Sequence, residues 1–389
     1  MFKKIFSIIT VALFLVTCDG FKTELDIDIA AFPPKLVVTA ILDGTNGTFN
    51  IVLSEGRALA DYKTFRLDGQ KNVVNGEILL YEDGNLIFSE VGEFDMTYSK
   101  QEPYYDTNTW QWVYPDRGGY RFEASVATNP GSTYQLVVKT DKYETVTSTS
   151  IMPILPDVSA TINTDEIVRR NGIIEYRSLQ GWSSSGSSGD YDFWPVSLQW
   201  GKRPVGRNYY ALEMFEEITL IEGTANQWTN LGKNIVGICV SDLSKLQDNP
   251  EIEFFDTIEI GMDPSSTSYS TYKFPILLMS DISFTLDNAS LTLYKLTVNT
   301  NDLGEYYPPE YYEKTVYHHS LSLRVRHITE ATFRYYRSLA LQSVGIDFFT
   351  EPVKIVGNIE NGYGSFVVYS AADIHLLEYE SYEYRMKYW

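Results

Sequence analysis

Short apolar runs, each closed by a turn, recur along this chain and leave it little but β-structure to form. Ile78-Leu79-Leu80-Tyr81-Glu82 meets Asn85-Leu86-Ile87-Phe88 across Asp83-Gly84. That dipeptide between two apolar runs predicts a β-hairpin, because Asp and Gly accept the positive φ angles of a type I′ turn. Leu36-Val37-Val38-Thr39-Ala40-Ile41-Leu42 stops at Asp43-Gly44 in the same manner. Tyr134, Leu136 and Val138 alternate with Gln135 and Lys139, which predicts one packed face and one wet face. Further strands are expected at Trp194–Trp200, Tyr209–Ile221, Phe274–Met279, Leu291–Val298 and Leu321–Val325. The 29 Tyr, 20 Phe and 7 Trp fit pleated, half-buried surfaces. The expected fold class is mainly β.

The spacing of these segments divides the chain. Residues 33–156 are expected to form an immunoglobulin-like or transthyretin-like sandwich, since strands and turns recur there at the right intervals. Pro153-Ile154-Leu155-Pro156 ends it as a stiff linker. Residues 157–389 are expected to form a second β-rich domain, sandwich or barrel-like, with one helix near its end. That helix is expected at about 329–342. Thr329 can cap it, Glu330 suits its first turn, and Ile328, Thr332, Tyr335 and Leu339 make a helical stripe. Gly181 to Gly189 is rich in Ser and Gly and reads as a mobile loop. Gly357-Asn358-Ile359-Glu360-Asn361-Gly362-Tyr363-Gly364 is dense in residues that take positive φ and reads as a loop clamping the last strands.

The N-terminus carries an export signal. Lys3 and Lys4 precede an apolar run from Ile5 to Val16. This run is shorter than the roughly 20 residues that cross a bilayer. Leu15-Val16-Thr17-Cys18 resembles a bacterial lipobox, although Thr17 is bulkier than the Gly, Ala or Ser usual before the cysteine. Residues 1–17 are thus expected to be a lipoprotein signal peptide and Cys18 the lipidation site. Residues 18–32 follow as an acidic tether carrying Asp19, Glu24, Asp26 and Asp28. Losing Lys3 and Lys4 with the signal takes the net charge from -20 to -22. So acidic a body repels phosphate backbones and lacks a polybasic membrane face. Nucleic acid is therefore not an expected partner, and membrane attachment falls to the lipid.

Little in the sequence points to catalysis. With Cys18 assigned to lipid, Cys239 is left in the apolar run Ile235 to Val240 and reads as a core residue. His318 and His319 are adjacent, so a strand would send them to opposite faces; His327 and His375 stand apart. No HExxH, Walker loop, dinucleotide fingerprint or GxSxG elbow is present, and no local run unites a serine, a histidine and an acid. No enzyme activity, cofactor or metal is expected. Two aromatic clusters are instead the expected contact residues. One is Tyr104, Tyr105, Trp110, Trp112 and Tyr114; the other is Tyr306, Tyr307, Tyr311 and Tyr312, interrupted by Pro308-Pro309. Tyr and Trp bury large areas at small entropic cost, which suits interfaces and stacking on sugars.

Three motifs in order resemble a family found in Bacteroidota, the domain-of-unknown-function family numbered 4249. They are Pro34-Lys35-Leu36-Val37-Val38-Thr39-Ala40-Ile41-Leu42-Asp43-Gly44; Gly131-Ser132-Thr133-Tyr134-Gln135-Leu136-Val137-Val138 with Pro153 and Pro156; and the stretch from Glu351 to Phe366. The resemblance implies an outer-membrane lipoprotein, often encoded beside a TonB-dependent receptor, and supplies no activity or catalytic residues. In that setting the acidic tether resembles a signal for display on the outer face of the outer membrane. The functional expectation is an accessory or capping subunit of a TonB-dependent transporter or another outer-membrane barrel complex. The alternatives are a stand-alone glycan- or peptide-binding lipoprotein and a structural subunit of an assembly or secretion complex.

Overall fold

The computed structural model describes residues 34–56, 71–97, 104–106, 111–113, 119–178, 181–183, 188–202, 204–224, 231–236, 238–241, 252–254, 270–274, 276–281, 290–297, 311–344 and 355–387. Its first strands are β1 (Lys35–Asp43), β2 (Thr48–Gly56), β3 (Val73–Glu82) and β4 (Asn85–Asp95). A short pair follows, β5 (Tyr104–Asp106) and β6 (Gln111–Val113), then β7 (Tyr120–Ser125), β8 (Thr133–Thr140) and β9 (Val146–Ile151). The Asp83-Gly84 turn joins β3 to β4 with φ of 48° and 83°, the two positive angles a type I′ turn requires. It is tied down from outside. The Asp83 N–H donates to the Thr133 carbonyl at 2.8 Å, and Asp83 Oδ1 accepts the Thr133 N–H at 2.9 Å.

Beyond the linker come β10 (Val158–Ile162), β11 (Val168–Ser178), β12 (Gly181–Ser183), β13 (Ser188–Trp200), β14 (Asn208–Glu222) and β15 (Gly232–Val236). Shorter segments follow, β16 (Ile238–Ser241), β17 (Ile252–Phe254), β18 (Ser270–Phe274), β19 (Leu277–Asp281) and β20 (Ser290–Leu296). The chain closes with β21 (Tyr312–Ile328), helix α1 (Glu330–Val344) and β22 (Tyr363–Met386). The fold is mainly β, with a helix near its C-terminal end. The stretch expected to be a Ser/Gly-rich loop supplies β12 and the start of β13. β11 pairs with both, and main-chain hydrogen bonding to a strand already in place outweighs poor local strand propensity.

A nine-stranded sheet organises the fold, ordered β17-β19-β14-β21-β22-β1-β2-β7 with β15 beside β14. Its strands come from both sides of Pro156, so the boundary expected there divides the chain in order but does not divide this sheet. The join is the parallel pairing of β1 with the start of β22, Val37 opposite Tyr363 through Asp43 opposite Tyr369. One face of the sheet carries two cores. Over the β1–β2 end, a four-stranded sheet (β4-β3-β8-β9) closes a sandwich. Its core is built from the inward residues of alternating strands, including Val38, Phe49, Ile78, Tyr134, Leu136 and Phe366. Over the β14–β21 end of the same face, a seven-stranded sheet (β10-β13-β20-β16-β18-β11-β12) closes the second core. It packs Val196, Leu198 and Leu293 against Leu212, Leu323 and Val325.

Between the two cores the Pro153–Pro156 segment crosses the large sheet as a strap. His327 and Ser370 are direct cross-strand neighbours on β21 and β22. His327 Nδ1 donates to the Ile154 carbonyl at 2.9 Å, and Ser370 Oγ donates to the Pro153 carbonyl at 2.6 Å. The opposite face is covered in part by α1, whose Phe333 packs with Tyr209, Ala211, Ile328, Val367 and Tyr369. Thr329 caps the helix as expected, its Oγ1 accepting the Thr332 N–H at 3.1 Å. Residues Asn208 to Met214 of β14 are therefore buried on both faces.

The Gly/Asn-rich motif before β22 is a clamp. Asn358 bonds the Phe366 main chain twice, accepting its N–H at 2.7 Å and donating to its carbonyl at 2.9 Å. Glu360 and Thr147 form an isolated bridge that ties the motif to β9. At Gly364 φ is 103°, and a Cβ there would stand 2.0 Å from the Val38 carbonyl oxygen. Only glycine lets β22 approach β1 this closely.

Candidate functional site

The aromatic residues expected to make contacts fall in two places. Trp110, Tyr114, Tyr306 and Tyr307 lie outside the described residues, as does Cys18. For Tyr104, Tyr105 and Trp112 the backbone is described. β5 and β6 form a two-stranded ribbon whose register sets Tyr105 opposite Trp112 and Tyr104 opposite Val113. Tyr311 and Tyr312 stand at the far end of the β21–β22 pair. Tyr312 is opposite Met386, and the Lys387 N–H donates to the Tyr311 carbonyl at 2.9 Å. Tyr311 and Met386 are 60% and 58% exposed, so this tip presents apolar surface.

A polar cluster that the sequence did not announce lies on the face turned toward the seven-stranded sheet. Glu216 on β14, His319 on β21 and Ser381 on β22 are diagonal neighbours on three adjacent strands. His319 is opposite Ile218 and Tyr379, each two residues from its cluster partner. His319 Nε2 is 2.7 Å from Ser381 Oγ, and its Nδ1 is 3.5 Å from Glu216 Oε1. The imidazole lies flat on Tyr379, with ring centres 4.6 Å apart and planes at 7°. Tyr379 donates its hydroxyl to Glu216 Oε1, and Trp194 on β13 meets the Tyr379 ring edge-on. Lys295 on β20 reaches across from the facing sheet to within 4.0 Å of the same carboxylate oxygen.

Electrostatics fix the charge state of the acid. Burial alone would push the Glu216 carboxyl up, but His319, the Lys295 ammonium and the Tyr379 hydroxyl together outweigh it and bring it down to about 2. Burial, and then the hydrogen bond to Glu216, push the Tyr379 hydroxyl up. His319 Nδ1 is buried with no hydrogen-bond partner of good geometry among the described residues. His318, its neighbour, faces the other way, as adjacent strand residues must.

The opposite face of the same strands carries a second set of charges beside α1. Arg324 grips Asp373 with two hydrogen bonds, at 2.6 and 2.7 Å, and this holds the Asp373 carboxyl down. Arg326 pairs with Glu213 at 2.6 Å and lies 4.7 Å above the Tyr369 ring. Glu213 is pushed up by burial, with Arg326 working against that shift. Tyr369 donates to Asp43 Oδ2 at 3.1 Å, which links this face to the β1–β2 turn. Acid and base thus meet pairwise on this face.

Among the described residues no group of three or more His, Cys, Asp or Glu is placed to hold a metal ion. Sequence periodicity could place His319 inward, but Glu216 and Ser381 are distant in sequence and meet it only through strand register. The described residues form a mainly β architecture in which one long sheet carries two smaller sheets on one face and helix α1 on part of the other. A family model described as "Domain of unknown function (DUF4249)" matches residues 22–375, and the chain belongs to that family. No curated protein matches it.

Proposed function

We propose that this protein is a surface-exposed lipoprotein of the outer membrane, acting as an accessory or capping subunit of a TonB-dependent transporter. The carrying observation is the combination of Lys3 and Lys4, the apolar run Ile5–Val16 and Cys18, ahead of an acidic body whose first strand starts at Lys35. Two or three acyl chains on Cys18 anchor it in this reading, at about 0.8 kcal/mol per buried methylene. Each residue between Cys18 and Lys35 adds at most about 3.5 Å of reach when extended, enough in sum for the body to stand off the bilayer. Confinement to the membrane plane raises its effective concentration beside a barrel. The exposed tip at Tyr311 and Met386 is the surface this reading assigns to the partner.

Purification of the lipidated protein in mild detergent tests the reading. Recovery with an outer-membrane barrel is the expected result, and recovery as a lone monomer under every condition would sink it. Cys18→Ala should release the protein from the membrane. The register pairing of Tyr105 with Trp112 favours a second reading, a stand-alone binder of glycans or peptides. Replacing Trp110, Trp112 and Tyr114 with Ala separates the two: loss of ligand with barrel association intact supports the binder.

A further inference from the structure

We propose that Ser381 is an activated nucleophile whose base is His319 and whose orienting acid is Glu216, and that it reacts with carboxylic esters. The inference goes beyond the accessory reading and does not depend on lipid attachment.

Three observations carry it. First, the connectivity is that of a nucleophile, base and acid: Ser381 Oγ is 2.7 Å from Nε2, while Nδ1 of the same ring points to Glu216 at 3.5 Å. With the proton on Nδ1, directed at a carboxylate, Nε2 presents its lone pair to the serine hydroxyl. The longer acid contact suits an unliganded site, where such contacts tighten only when substrate binds. Second, the ring is held in place by stacking on Tyr379, which Trp194 supports at its edge. Third, His319 is buried, 8% exposed, while Ser381 is partly exposed, so the base is the more shielded of the two. Glu216, held ionised by its neighbours, stabilises the imidazolium formed during reaction.

In the reaction, Ser381 Oγ bonds to the ester carbonyl carbon as its proton passes to His319 Nε2. The carbon–oxygen bond to the alcohol breaks, and Nε2 returns the proton to the departing alkoxide. Water then attacks the acyl-serine, gives its proton to Nε2, and the acid is released as that proton returns to Ser381 Oγ.

The test treats the full-length protein with a fluorophosphonate probe and maps the modified residue by mass spectrometry, alongside hydrolysis of p-nitrophenyl acetate. Expected are preferential labelling of Ser381, no labelling there in Ser381→Ala, and labelling and hydrolysis slowed on the order of a hundredfold in His319→Gln. Ser89, exposed on β4, is an internal reference that needs no variant. If Ser381 in the folded wild type is labelled no faster than Ser89, the proposal is overturned. It is overturned equally if folded His319→Gln reacts at the wild-type rate.

Discussion

Gly364 and Glu216 show how much of this fold can rest on one side chain, or on the lack of one. Gly364 sits at φ 103° with the Val38 carbonyl where a Cβ would be. Gly364→Ala should therefore cost about 3 kcal/mol, read as a shift in urea unfolding, since both strain and backbone overlap oppose it. Glu216 makes a pH-dependent contribution. Its carboxyl titrates lower in the folded chain than its ordinary 4.5, so the stabilisation is full above 4.5 and is lost as pH falls toward about 2. The stability difference between wild type and Glu216→Gln should shrink over that window in urea unfolding measured at several pH values. Glu213, raised by burial, works in the opposite sense, its contribution being lost as pH rises. The Asp83-Gly84 turn was legible because its conformation is a property of two neighbouring residues. The Glu216–His319–Ser381 cluster was not, because it depends on register among three distant segments.

The elements differ in how far local sequence decides them. Helix α1 has a capping Thr329, an acidic first turn and a Glu330–Arg334 pair one helical turn apart at 2.5 Å. Thr329→Ala should lower stability by about 1 kcal/mol in thermal or urea unfolding, and an unchanged midpoint would show that the cap is dispensable. The long strands β21 and β22 read as strands in part, yet nothing local sets their lengths of 17 and 24 residues. β22 is long because β1 partners its beginning and β21 partners nearly all the rest. The strap over residues 153–156 read as a stiff linker from its prolines, while its fixed course comes from His327 and Ser370.

Across the molecule, β22 binds the two cores into one body. Phe366 and Val368 complete the core of the first sandwich, and Ile374, Leu376 and Leu377 pack against the second. Residues 33–156 expressed alone lack those side chains and leave an edge of β1 open, so that fragment should not reach a stable, native-like state. The body should unfold in one cooperative calorimetric transition; two well-separated transitions would show that the cores are independent. The mainly β class, the hairpin turn, the capped helix and the family resemblance were all written in the order of residues, because turn chemistry, periodicity and short motifs act between near neighbours. The parallel pairing of β1 with β22, the single sheet spanning both halves, and the meeting of a glutamate, a histidine and a serine came only with folding. Those outcomes depend on packing and register between segments far apart in the chain, which no local pattern encodes.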